Sequence, residues 1–97
     1  MDIDEFKNSI ESGQPLAEVS QYLKALWYDA MGDWQQAHKT IQDLPDDNAA
    51  WIHAYLHRKE GDQFNAGYWY RRAGRTMPTL TLQQEWEQIA KALLNKK

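Results

Sequence analysis

The 97-residue chain contains no cysteine. A disulfide framework, a thiol nucleophile and a cysteine-ligated zinc site are thereby excluded. Valine occurs once, at Val19, and no segment sustains the period-two alternation of a half-buried strand. Serine is confined to Ser9, Ser12 and Ser20, none of them in a nucleophile turn. The five glycines are scattered, so no glycine-rich loop exists to cradle a phosphate. No run approaches the roughly 20 apolar residues of a membrane span. The acidic start, Met1-Asp2-Ile3-Asp4-Glu5-Phe6-Lys7, has the character of neither a secretory signal nor a transit peptide. A soluble, cytoplasmic, non-enzymatic protein is the expectation, with no cofactor.

Large aromatic side chains are abundant instead. Five Trp, five Tyr and two Phe suit a single small domain, whose modest core must be filled by a few bulky groups. The net charge of -3 conceals an asymmetry. Residues 1–48 carry ten acids and three bases, a balance of -7, and residues 49–97 carry eight bases and four acids, a balance of +4. The halves are expected to present a solvated surface of uneven charge; attraction within one molecule, or head to tail between molecules, is the alternative.

Everything regular reads as helix. Ile3, Phe6 and Ile10 predict a first helix from about Ile3 to Ser12, stopped by Gly13. A second is expected to open at Pro15, with Leu16, Val19, Leu23, Leu26 and Ala30 on its apolar face. A third carries Trp34, Ala37, Ile41 and Leu44. Pro45-Asp46-Asp47-Asn48 breaks the chain. A fourth, from about Ala49 to Glu60, is apolar on more than one side and should lie between neighbours. A fifth runs from about Gln63 to Ala73, with Gly67 expected to permit close packing. Thr81 and Gln84 have capping-box spacing before a sixth, whose face is Leu82, Trp86, Ile89, Ala90, Leu93 and Leu94. The basic tail Asn95-Lys96-Lys97 suits that helix's negative end.

Two stretches share one frame. Gly32-Asp33-Trp34-Gln35-Gln36-Ala37 and Gly61-Asp62-Gln63-Phe64-Asn65-Ala66 both read Gly-Asp, three residues, Ala, and lie 29 positions apart. A glycine ends one helix, an aspartate caps the next, and an alanine lets the two pack closely. With Ala54, Tyr70, Ala73 and the closing Pro78, this frame resembles the tetratricopeptide repeat over roughly residues 16–78. The period is shorter than that family's usual 34 or so, and Pro45 comes early for a closing proline. The segment from Trp51 to Arg75 is also similar to uncharacterised bacterial proteins.

The resemblance implies an all-α fold of about six helices. Antiparallel hairpins, one at about 15–44 and one at about 48–76, would stack as a short right-handed array, with the helices at about 3–12 and 80–95 as caps. It also implies a concave face lined by the first helix of each hairpin. The groove positions would be Val19, Tyr22, Leu26, Asp29 and Ala30 in one copy, and Asn48, Trp51, Tyr55, Arg58 and Lys59 in the other. Trp51 and Tyr55 stand where the family's carboxylate clamp needs Lys and Asn, so no such clamp is expected. The other reading of Trp51 and Tyr55 is core, covered by a terminal helix.

Two further groups of residues bear on chemistry. His53 and His57, four apart, share a helix face at a spacing that suits zinc. The stretch lacks the glutamate of the zinc-peptidase motif, and His38 lies on another helix, so no metal site is expected. Glu85 and Glu87 lie on different sides of helix six and make no acid–base pair. Arg71, Arg72 and Arg75, with Tyr68 and Trp69, form a basic–aromatic cluster suited to an anionic ligand. The competing expectation is that these arginines pair with the acidic N-terminal half. The acidic balance argues against nucleic acid. The leading expectation is an interaction module for a protein or peptide partner, or for a second copy of itself in a homodimer. The alternative is a binding protein for a phosphorylated compound, acidic peptide or RNA at the arginine cluster.

Overall fold

The two Gly-Asp pairs adopt one geometry. In a computed structural model that describes residues 1–15 and 18–94, Gly32 and Gly61 have φ of 86° and 87°, left-handed values that a side chain would strain. The amide of Asp33 donates to the Tyr28 carbonyl and that of Asp62 to the His57 carbonyl, both at 2.9 Å. That is the long bond of a Schellman turn. Each aspartate then accepts from the amide three residues on, Gln36 and Asn65, both at 3.1 Å, and so caps the following helix. Ala37 and Ala66 are fully buried where each hairpin closes.

The described residues form six helices: α1 (Ile3–Ser12), α2 (Gln21–Ala30), α3 (Trp34–Ile41), α4 (Asp47–Lys59), α5 (Gln63–Arg72) and α6 (Leu82–Leu94). The described residues contain no strand. The capping box of α6 forms as its spacing predicts: the Gln84 amide donates to Thr81 Oγ1 (3.1 Å) and the Thr81 amide to Gln84 Oε1 (3.0 Å). The start of α2 differs from expectation. It opens at Gln21, because the Ser20 hydroxyl accepts from the Leu23 amide (3.2 Å) and caps the helix there. Pro15 precedes the helix, and Glu18 holds a left-handed φ of 62°. Leu16, placed on this helix by its spacing, and the tail Asn95-Lys96-Lys97 lie outside the described residues.

α2 packs against α3 and α4 against α5, and α3 meets α4 where the two hairpins join. α6 lies across α2 and α4, with α1 against it. α4 is therefore enclosed, and eight consecutive residues from Ala49 to Leu56 are buried. A helix with burial on every side is what its all-round apolar pattern predicts. The aromatic rings fill this core and satisfy their polar tips. The indoles of Trp86 and Trp34 donate to the carbonyls of Leu26 (3.1 Å) and Leu56 (2.9 Å), and Trp27 donates to Ser9 Oγ (3.2 Å). Phe6 stacks on Trp86 at 5.8 Å, which fixes α1 to α6.

Gly67 does not serve the close packing expected of it. A Cβ there would meet only the Arg71 side chain, at an ordinary 3.6 Å. A Cβ on Gly61 meets nothing, but its backbone is left-handed. Substitution by alanine should therefore act with opposite signs. Gly61→Ala is expected to lower stability by about 1 kcal/mol through backbone strain, and Gly67→Ala to raise it by about 0.5–1 kcal/mol through helix propensity. Urea denaturation followed by circular dichroism measures both; equal signs would refute the assignment of the turn.

Candidate functional site

Of the predicted groove positions, Leu26, Asp29, Trp51 and Tyr55 are buried, while Ala30 and Lys59 are exposed and border an open cavity of about 340 Å³. Tyr55 donates its hydroxyl to Asp29 Oδ2 (2.8 Å), and Lys59 Nζ reaches Asp29 Oδ1 (2.8 Å). Beside them α6 inserts Glu85, which is fully buried. The Tyr70 hydroxyl lies 2.7 and 2.6 Å from its two carboxylate oxygens, Arg58 Nη1 donates to Oε1 (2.8 Å), and Trp51 Nε1 donates to Oε2 (3.3 Å). Arg58 Nη2 also donates to the Leu80 carbonyl. Trp51 and Tyr55 are 3% and 2% exposed.

This geometry corrects the expectation of an open partner surface on Asn48, Trp51, Tyr55, Arg58 and Lys59. Trp51 and Tyr55 are interior. Arg58 is committed to Glu85, Lys59 is exposed but tied to Asp29, and Asn48 is half-buried. The physical reason is the apolar face of α6. Trp86, Ile89, Ala90 and Leu93 must leave water, and the surface between α2 and α4 receives them.

The tyrosines in this layer keep their protons. Burial, reinforced by the neighbouring carboxylates Asp29 and Glu85, pushes Tyr55 and Tyr70 well above the ordinary tyrosine range. Both hydroxyls are therefore donors throughout the usual pH range. By sequence, Glu85 is weighed only as a partner for Glu87 and its burial is not foreseen, although it lies three residues after Leu82 and four before Ile89, on the stripe that α6 buries.

The basic–aromatic cluster is dispersed. Arg75 places its guanidinium 3.3 Å from the Trp51 ring centre, on the α6 side. Arg72 lies over Trp69 at 5.4 Å, and Trp69 stacks on His53 at 3.9 Å on the other side of α5. Tyr68 stands edge-on to Trp69 at 5.2 Å. Among the described residues Arg71, Arg72 and Arg75 form no ion pair, so the expected pairing with the acidic half is not what the structure shows. Among the described residues the pairs that link the halves are Lys59–Asp29 and Lys7–Glu87.

Outward from Ala66 and Tyr70, α5 exposes apolar surface. Phe64 is 84% exposed and Tyr68, one turn on, 44%. Phe64, Tyr68 and Arg71 share one helical stripe. Against the expectation from sequence, His38 of α3 meets His53 and His57 of α4. Its position one turn after Trp34 and three residues before Ile41, on the inward stripe of α3, was the available signal.

The raised tyrosines have a defined effect on stability. Above pH of about 10 the folded state holds protons that the unfolded chain loses, so stability present below that value falls as pH rises. The slope is up to roughly 1.4 kcal/mol per pH unit for each group. In a spectrophotometric titration, tyrosinate absorbance from Tyr55 and Tyr70 should appear only with cooperative loss of helical circular dichroism. The double variant Tyr55→Phe, Tyr70→Phe should lose that step. Smooth ionisation of all five tyrosines in a helical protein would contradict the buried placement.

Compared with protein-family models, with curated proteins and with solved structures, the chain matches none.

Proposed function

We propose that the chain is a tetratricopeptide-like, non-enzymatic interaction module of the cytoplasm, which holds a protein partner on the outer face of α5. The observation that supports this most is the exposure of Phe64, a large apolar ring left in water on a helix that packs chiefly on α4. An exposed apolar cluster with a polar border is how protein contact sites commonly look. Here the ring is followed along the stripe by Tyr68 and Arg71, with Arg72 beside them, residue types that recur as anchors in interfaces. The chemistry suits a partner segment with an apolar anchor beside carboxylates, which the unpaired guanidiniums would meet. The repeated Gly-Asp turns supply a rigid frame for such a face.

The arrangement of α6 supports this choice over the groove. Its apolar face lies between α2 and α4 and covers Trp51 and Tyr55, whereas Phe64 on α5 is left bare. The alternative is an anionic ligand on Tyr68, Trp69, Arg71, Arg72 and Arg75. The lack of ion pairs at the three arginines favours it, but their guanidiniums diverge, which does not suit one small ligand. A second copy of the chain remains within the main reading, because a homodimer through α5 would cover the same rings.

A photoreactive amino acid placed at position 68 should cross-link in cells to one partner of defined mass. The same group at Gln88, on the exposed side of α6, should not. The double variant Phe64→Ala, Arg71→Glu should lower the yield about tenfold or more, as loss of an anchor costs upwards of 1–2 kcal/mol. A product of twice the chain's mass identifies a homodimer. Equal yields at both positions, or no product together with monomeric sedimentation, would remove the proposal.

A further inference from the structure

Three imidazoles that the sequence places on two helices converge at the junction of the hairpins. His38 Nε2 lies 2.9 Å from His53 Nε2, and one ring nitrogen of each of His38, His53 and His57 falls within 4.8 Å of the others. His53 and His57 are one helical turn apart on α4, and their rings stack at 4.8 Å. His38 crosses from α3 with its ring edge-on to both, at 4.6 and 5.5 Å. Trp34 stacks on His38 at 5.0 Å and Trp69 on His53 at 3.9 Å. The two indoles wall the cluster and restrict ring rotation.

We propose that His38, His53 and His57 form a binding site for a first-row divalent metal ion of the zinc class. Three facts carry it. The donor set is all imidazole, which suits zinc, copper, cobalt and nickel better than calcium or magnesium. The donors already converge: His38 Nε2 and His53 Nε2 lie 2.9 Å apart and all three within 4.8 Å, against roughly 3.3 Å between nitrogens of a tetrahedral zinc site with bonds of about 2.0–2.1 Å. The third fact is an outer partner. Glu60 Oε2 sits 2.6 Å from His57 Nδ1, which leaves Nε2 as the ring nitrogen for the ion, the arrangement of carboxylates behind metal-bound histidines.

His53 is 6% exposed and His38 half-buried, so the site lies in the hairpin junction rather than on the open surface. Three protein ligands leave a fourth position for water or a partner's side chain. Because His38 belongs to the first hairpin and His53 and His57 to the second, a bound ion ties α3 to α4. It therefore acts first as a clamp on the hairpin junction. Asp62 with His57 and Glu60 forms a second, more exposed group, and the test must separate the two.

The experiment uses untagged full-length protein stripped with a chelator and titrated with zinc chloride at pH 7.5. Calorimetry should show saturation at one ion per chain in the micromolar range, and the thermal midpoint should rise with zinc. Cobalt should give the visible absorption of a tetrahedral nitrogen site. His38→Gln and His57→Gln should each weaken binding by at least about 100-fold, and Glu60→Gln by about tenfold, as outer partners do. Imidazole NMR of the unmodified chain supplies a readout that does not depend on variants folding: one equivalent of zinc should shift the rings of all three histidines. Absence of saturable binding would overturn the proposal. So would binding unchanged in His38→Gln but lost in Asp62→Asn, which would put the ion on the outer group.

Discussion

The carboxylate of Glu85 is the constraint on which the rest of the structure depends. A charge taken fully out of water costs several kcal/mol unless partners replace its hydration. Glu85 receives a guanidinium from Arg58, a phenol from Tyr70 and an indole from Trp51. These donors come from α4 and α5, and the acceptor comes from α6. The carboxylate can be satisfied in one docking of α6 only. A shift of one helical turn would leave the buried Glu85 carboxylate without its partners, at a cost of about 3–5 kcal/mol. Apolar packing brings α6 to the groove, and the polar layer selects its register. Asp29 with Tyr55 and Lys59 does the same for the contact between α2 and α4.

That choice determines where function can reside. Stacked helical hairpins commonly present a concave face for partners. Here α6 covers Trp51 and Tyr55 between α2 and α4, and an open cavity of about 340 Å³ remains beside Asp29, Ala30 and Lys59. Two peripheral features stand out: the rings and guanidiniums of α5, and the histidine cluster where α3 meets α4. The two lie on either side of Trp69, whose ring stacks on His53 while its neighbour Tyr68 faces water. An ion on the histidines and a partner on α5 would thus act through one shared element.

Much of the fold was legible because local signals agreed with one another. Gly-Asp turns, capping residues and apolar spacing all point to the same helices, and the rhyme in sequence is a rhyme in φ and hydrogen bonding. The enclosure of α4 was legible from its all-round pattern. The start of α2 was not: Pro15 suits a first turn, but the side-chain cap that opens the helix is Ser20. The candidate sites were harder to read. Whether Trp51 and Tyr55 line a groove or fill it depends on where α6 lands, and helical periodicity does not encode docking between distant elements. Glu85 and His38 sit on apolar stripes, yet a polar residue on a stripe reads as an interruption until its partner on another helix is known. Arg71, Arg72 and Arg75 look clustered in sequence and diverge in space, because a helix turns 100° per residue and Arg75 follows its end.

Native-state hydrogen exchange tests the placement of α6 most directly. If α6 is part of the core and held by Glu85, the amides of Ile89 and Ala90 open only with the whole domain, with the same free energy as those of Ile52 and Leu56 at the centre of α4. If Ile89 and Ala90 instead exchange through a separate, low-energy opening while α4 stays protected, then α6 is a detachable helix. The groove between α2 and α4 would in that case be a surface that opens.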